Sequence, residues 1–312
     1  MIVKSYTLAD RMVWDEFIAK SKNATFLFYR AYMDYHANRF QDHSLLIYDD
    51  KDHLLAVMPA HVEDKKLISH GGLTYGGVIS DATMTTPLML EIFDALLAYA
   101  RAHNVATILY KTIPSIYCRI PAEEDRYALF RCDARLVRRD VLSVVDQSQR
   151  LEYQERRARK IKQARNAQLK VSESRDFTVF WPVLEKNLLQ RFGVRPVHSL
   201  QEITLLSQRF PDNIRLHLCG DDQDILAGVV VYVTPQVVHV QYISASEDGK
   251  FFGALDLIFA ELMEVVYAHH GYFDFGISTE QNGRHLNVGL IEQKEGFGAR
   301  AIVHDHYEVS VI

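Results

Sequence analysis

The sequence predicts an α/β protein made of two copies of one unit. Three observations carry this. The same order of elements is read twice along 312 residues: helix, helix, three strands, helix, strand, short helix, strand. Short residue matches fall at equivalent places. Phe40-Gln41-Asp42 and Phe210-Pro211-Asp212 each precede a strand and an Asp-bearing turn, followed by Leu55-Ala56-Val57 or Leu226-Ala227-Gly228. Near the end of each pass, Ala134-Arg135-Leu136-Val137 leads to Asp140, and Ala299-Arg300-Ala301-Ile302 leads to Asp305.

In the first pass, Thr7 and Asp10 form a capping pair for a helix over 8–20, with Trp14, Phe17 and Ile18 on one face. A second helical pattern runs from Tyr29 to Arg39. SLLIYDD is a strand, Asp50 to Asp52 a tight turn, and LLAVMPAHVED the returning strand. KLISHGGLTYGGVIS is a third strand region broken by two Gly-Gly pairs. Pro87 to His103 is helical, VATILYKTIP is a buried strand, Pro121 to Phe130 a short helix, and ARLVRRDVLSVV a strand.

Residues 147–170 differ in composition. Between Arg156 and Arg165 there are six basic residues and no acid, in a helix-forming run without Gly or Pro. The reading divides the chain into a domain over 1–146, a basic connecting helix over 147–170 and a second domain over 171–312. In the second pass a helix over Asp176 to Phe192 is closed by Gly193, with Pro182 as a kink or restart. Ser199 and Glu202 form a capping box for a helix that Pro211 ends. The strand IRLHLCG, an acidic turn at 221–224 and the strands ILAGVVVYV and VVHVQYISAS follow. Gly249 and Gly253 then open a long helical pattern ending near His270. YFDFGIST, GRHLNVGL, the turn KEGFGAR and the strand AIVHDHYEV complete the chain.

Composition narrows the class. Hydrophobic residues make up 48% and charged residues 24%, with a net charge of −5, as in globular proteins with no general affinity for nucleic acid. Three cysteines, Cys118, Cys132 and Cys219, form no CxxC and no metal spacing. No metal is expected. No run reaches the roughly 20 apolar residues of a membrane span. The N-terminal run carries acids within an amphipathic pattern, so a signal peptide is not expected, and the expected location is the cytoplasm.

Several runs carry a resemblance: SHGGLTYGG at 69–77, KTIPSIY at 111–117, RPVHS at 195–199, QYISAS at 241–246, FDFGIST at 273–279, LNVGL at 286–290 and KEGFGAR at 294–300. With the element order, they make the chain resemble the FemAB-like acyltransferases of the GNAT superfamily, which pair two GNAT-like units. The resemblance implies an acyltransferase with acetyl-CoA or another acyl-CoA as donor, or aminoacyl-tRNA as Fem-type enzymes generally use. It implies an amine or hydroxyl acceptor on a small molecule or a cell-envelope precursor. GNAT proteins hold the coenzyme A pyrophosphate on [R/Q]-x-x-G-x-[G/A] after the fourth strand. Here that slot reads Lys250-Phe251-Phe252-Gly253-Ala254-Leu255, with Lys for Arg or Gln and Leu255 for the last small residue.

Candidate site residues follow. A glycine turn before a helix presents backbone N–H groups to an anion, which makes Gly249, Lys250, Gly253 and Ala254 donor-binding candidates. If the strands of QYISAS and YFDFGIST splay as in GNAT folds, Gln241, Tyr242 and Ser244 lie beside the acyl group and Asp274, Ser278 and Glu280 at its mouth. Tyr242, Asp274 and Glu280 are then catalytic candidates. Asp274 reads equally as a solvent-facing residue between the core residues Phe273 and Phe275. His70 is a candidate base, because imidazole titrates near neutral pH. With 14 histidines in the chain, a structural role is the commoner fate. Tyr75, Tyr117 and His198 are acceptor-side candidates. Lys111 and Lys294 could hold a phosphate or carboxylate or simply lie along the surface, and Asn287 is a hydrogen-bonding candidate for the donor. The basic helix 156–165 reads first as a solvated face and second as a tRNA contact. The competing functions are a general acyltransferase, a Fem-type aminoacyl-tRNA-dependent ligase, and a binding protein that kept the fold without the chemistry.

Overall fold

The computed structural model describes residues 1–221 and 224–311. The chain forms two compact units. The first comprises Met1–Asp140, Gln281–His285 and Val303–Ile312; the second comprises Val141–Glu280 and Leu286–Ile302. The units therefore divide differently from the halves of the sequence. The break falls after Asp140, inside an unbroken strand, and residues 147–170 belong to the second unit rather than to a separate connection. The middle of the expected acidic turn, Asp222 and Gln223, lies outside the described residues.

The first unit begins with β1 (Ile2–Ser5), α1 (Arg11–Lys20) and α2 (Arg30–Met33). The helix expected over 29–39 is broken. After α2 the chain continues as a 3-10 turn over Asp34–His36. Strands β2 (Leu45–Tyr48) and β3 (Leu54–Met58) follow, and Pro59 separates β3 from β4 (His61–Glu63). Next come β5 (Lys66–Ile68), β6 (Ile79–Ser80), α3 (Thr86–Ala102), β7 (Thr107–Lys111), α4 (Glu124–Arg131) and β8 (Arg135–Asp146). The third strand region is thus two short strands joined by the glycine-rich loop. Helix α3 shows why the segment folds there. Thr85 caps it, Pro87 occupies its first turn, and Met89, Ile92, Phe93, Leu96, Tyr99 and Ala100 form one buried stripe. That stripe packs on Leu45, Ile47, Met58 and Ile108. One sheet of the unit runs β1-β2-β3-β6 and is antiparallel.

The second unit holds α5 (Glu155–Asn166), β9 (Lys170–Ser174), α6 (Trp181–Phe192), α7 (Leu200–Arg209), β10 (Ile214–Gly220), β11 (Ile225–Val233) and β12 (Val237–Ala245). Pro182 sits in the first turn of α6 and starts it after a 3-10 turn over Phe177–Val179; Gly193 ends it in the left-handed conformation. The Ser199–Glu202 capping box is present, at 3.2 and 2.8 Å. The long helix expected to reach His270 is divided. Helix α8 (Glu247–Phe252) stops at Gly253, α9 (Ala254–Glu261) follows, and a π-helical turn covers Leu262–Val266. The chain ends with β13 (Tyr272–Ile277), β14 (Thr279–Glu280), β15 (His285–Leu286), α10 (Val288–Glu295) and β16 (Arg300–Ser310). The strand order in this unit is β8-β13-β12-β11-β10-β9. Phe259, Phe273, Phe275 and Phe297 meet in its core, so the two strand phenylalanines are core residues as their alternation predicts.

Two segments shared along the chain complete the sheets. Residues 306–310 of β16 pair antiparallel with β7 in the first unit, whose second sheet runs β4-β5-β7-β16-β8. Residues 141–146 of β8 pair with β13 in the second unit.

Gly253 shows what the expected phosphate turn does. Its φ is +81°, and a Cβ there would stand 2.7 Å from the Lys160 carbonyl oxygen of α5. Gly253→Val should therefore destabilise the protein by about 2–4 kcal/mol, combining left-handed strain with the backbone clash. A urea titration with an unchanged midpoint would show that α5 yields without cost.

Candidate active site

The parallel strands β12 and β13 pair at only three positions: Val237 with Tyr272, Val238 with Phe273 and His239 with Asp274. Beyond that point each takes an extra residue. On β12, Val240 faces Val231 and Tyr242 faces Val230, which leaves Gln241 as a bulge. On β13, Asp274 faces Val144 and Ile277 faces Leu142, again one residue over, and Gly276 lies at φ +73°. A bulge bends and twists its strand. Two of them on neighbouring strands pull the pair apart, as expected for QYISAS and YFDFGIST.

The gap widens into a cavity of about 490 Å³. Its walls are Val240, Gln241, Ile243 and Ser244 of β12, Phe275 of β13, Leu184, Asn187 and Leu188 of α6, Lys250 and Leu255, and Leu290, Gln293 and Lys294 of α10. A mostly apolar wall with a few convergent polar groups is the usual make-up of a small-ligand site. Asn187 donates to Ser244 Oγ at 2.6 Å and to the Ala245 carbonyl at 2.9 Å, fixing that wall.

The apex of the gap is polar and buried. Asp274 is fully buried rather than solvent-facing. It accepts from the Gly276 N–H at 2.7 Å and pairs with His239 Nδ1 at 2.9 Å. Lys294 is buried too, and donates to the Gly276 and Ile277 carbonyls at 3.0 and 2.6 Å. Burial lowers its pKa to about 8, against the opposing pull of Asp274. This lysine is not a surface residue, and an ammonium with two donors engaged has a third for a ligand.

Other sequence candidates go elsewhere. The Tyr242 hydroxyl meets His198 Nδ1 at 2.6 Å and the His198 N–H at 3.2 Å, and its ring packs on Trp181; burial raises its pKa. Neither residue lines the cavity. Ser278 is buried against Ser143. Asn287 caps α10 and donates to the exposed Glu280 at 2.8 Å. Gly249 approaches the Leu226 carbonyl, where a Cβ would stand at 2.2 Å, and its N–H is held by Ser246. Lys250 pairs with Glu247, and Ala254 is buried. The first turn of α9 already holds a carboxylate, Asp256, bound by Arg157 at 2.7 Å. The glycines thus admit backbone neighbours at both positions.

Four candidates lie in the first unit. His70 is buried against His36, Phe40 and His61 with a left-handed φ of +52°. Burial depresses its pKa to about 2, reinforced by His36 and Lys111, which removes the near-neutral titration a base needs. Lys111 is buried, not lying along the surface. It donates to the Leu73 carbonyl, and burial lowers its pKa to about 7. Tyr75 and Tyr117 are core residues with ring centroids 4.6 Å apart; Tyr75 donates to Thr25. The glycine-dense segment suggests ligand contact for Tyr75, as does the end of a buried strand for Tyr117; both side chains are buried in the core.

Helix α5 leaves Arg156, Arg159, Lys162 and Arg165 exposed, while some of its basic residues bind neighbouring segments. Arg157 binds Asp256, Lys160 donates to the Phe251 carbonyl at 2.6 Å, and Arg156 donates to the Glu292 carbonyl at 2.9 Å. Sequence reasoning missed His239, Asn187 and Gln293. The signal for His239 was present, since it starts the HVQYISAS run two residues before Gln241, but only the parallel register sets it beside Asp274.

The acetyltransferase (GNAT) domain family matches residues 147–282. FemX is similar in structure, with a TM-score of 0.67 at 11% identity over 99% of this chain and 97% of its own. So is a conserved protein of unknown function from Bacteroides thetaiotaomicron (0.63, 12%, covering 99% and 100%). The C-terminal domain of a proposed lysylphosphatidylglycerol synthetase from Agrobacterium fabrum gives 0.61 at 13% identity, covering 97% and 92%. No curated protein matches the chain in sequence. Residues 147–282 thus match a GNAT domain, and the chain shares its fold with FemX.

Proposed function

We propose that this chain, which carries a GNAT domain in a FemAB-like fold, transfers an acyl group to an amine or hydroxyl in the gap between β12 and β13. The parting of those strands over a largely apolar cavity is the observation that carries the reading. The acyl carbonyl lies across the bulge at Gln241, where backbone N–H groups of β12 past His239 have no partner strand in β13 and can hold the oxyanion. His239, oriented through Nδ1 by Asp274, takes the acceptor's proton at Nε2 as the acceptor's lone pair attacks. The tetrahedral intermediate then collapses. The donor oxygen or sulfur leaves and takes that proton, so no acyl-enzyme forms. Lys294 offers its third N–H to a carboxylate or phosphate of the substrate.

The turn at Gly253, closed by Lys160 and Asp256, favours an aminoacyl ester of tRNA over an acyl-CoA. A lysylphosphatidylglycerol synthetase, by its name, joins lysine to a lipid headgroup, and this similarity supports an aminoacyl donor and an envelope acceptor. Thermal shift tests the choice. Aminoacyl-tRNA near 100 times its Kd should stabilise the protein by about 2.7 kcal/mol, and acetyl-CoA should leave it unchanged. A shift with acetyl-CoA alone would reverse the assignment of the donor. A shift with neither, together with no transfer from either donor, would favour a non-catalytic binding protein.

A further inference from the structure

In the first unit's second sheet β8 and β16 are neighbours. His304 and His306 stand two residues apart on β16, and alternate residues of a strand share a face. Asp140 stands on β8. All three are buried, at 3%, 9% and 2% exposure, and one ligand atom from each lies within 4.8 Å of the other two.

Two features set this cluster apart from an ordinary polar core. Nε2 of both histidines has no hydrogen-bond partner among the described residues. Buried polar atoms are nearly always paired, so two adjacent orphans point to something that completes them. The His304 ring is also oriented, because the backbone of Thr112 hydrogen-bonds it. With Nε2 unpartnered, that bond falls at Nδ1 and leaves the Nε2 lone pair as a ligand, the arrangement that orients metal-bound histidines. Asp140 is held in turn by Arg138 Nε at 2.7 Å. His306 Nε2 lies 3.9 Å from Asp140 Oδ2. This is too long for a hydrogen bond but near the roughly 3.4 Å that separates two ligands about 2.1 Å from a tetrahedral ion.

We propose that Asp140, His304 and His306 form a divalent transition-metal site, with two imidazole nitrogens and one carboxylate oxygen suited to Zn²⁺ and a water or further ligand completing the shell. Burial keeps both rings uncharged, at about 4 for His304 and about 3 for His306, which is the form that coordinates. Lys111 and Arg138 bring positive charge nearby and weaken the site relative to one without them. The sequence signal was His-x-His on one strand; cysteine spacing could not reveal it.

The test uses the full chain stripped by chelator. Titration with Co²⁺ should give visible ligand-field bands that saturate at one equivalent, Zn²⁺ should displace them, and Zn²⁺ should raise the melting temperature. His304→Ala and Asp140→Asn should lose the bands; the exposed control His53→Ala should keep them. His306→Gln, which retains a polar side chain, serves as a second variant should the others fail to fold. Folded wild-type protein with neither bands nor a melting shift would overturn the proposal. So would bands that persist in a folded variant at His304 or His306, which would assign the metal to other histidines.

Discussion

Replacing His239 with glutamine is expected to lower acyl transfer by about 10²–10⁴-fold, the usual contribution of a positioned general base. The substitution is mild for the fold. Glutamine can still donate to Asp274, which keeps its hydrogen bond from the Gly276 N–H. Melting temperature should therefore move little while kcat collapses. Asp274→Asn tests the positioning residue behind it. The carboxylate fixes the ring through Nδ1, so its loss should lower kcat while KM holds. A purely structural Asp274 would change stability and leave kcat in place. An undiminished rate in folded His239→Gln would remove the histidine from the mechanism.

Acid should destabilise the protein steeply, for reasons outside the active site. His70 titrates at about 2 in the folded protein and His217 at about 4, both chiefly because burial disfavours the cation. Unfolded, each takes a proton near 6.5. Between those values the unfolded chain binds protons that the folded chain refuses. Stability from these groups is thus fully present above about pH 6.5 and is lost as pH falls. Each contributes a slope of about 1.4 kcal/mol per pH unit, so falling from pH 6.5 to 4.5 should cost about 5 kcal/mol, a large part of a typical domain's stability. The groups around His70 are His36, His61, Lys111 and Arg30; burial and each of these groups lower its pKa, so none offsets the slope. Urea titrations across that range measure it. His70→Asn suits the left-handed backbone at this position and should lower the slope by about 1.4 kcal/mol per pH unit. An unchanged slope in that variant would mean that His70 is protonated in the fold.

The sequence made the architecture legible because it is written in local signals. The Ser199–Glu202 box, Gly193 and the stripe of α3 all act within a few residues, and each sits where its chemistry requires. The site was half legible. Gln241, Ser244, Lys250 and Lys294 line the cavity, because strand order and the KEGFG turn fix their neighbourhood. His70 and Tyr75 are buried, since glycine density marks close packing as readily as ligand access; Lys111, read from its place at a strand end, is buried too. The Gly249–Gly253 turn is ambiguous in the same way: whether a glycine admits a phosphate or a neighbouring carbonyl depends on where α5 lies. The metal-ligand set joins residues more than 150 positions apart, and only the sheet brings them together.

The pairing of β16 with β7 also bears on how the protein is made. Thr112 hydrogen-bonds to the Asp305 carbonyl, 193 residues away in sequence, and Val309 and Val311 fill the first unit's core. As the chain leaves the ribosome, β7 waits unpaired along one edge until residues 306–310 emerge, while residues 141–280 of the second unit emerge as one stretch. Loss of residues 303–312 would therefore damage the unit that is translated first.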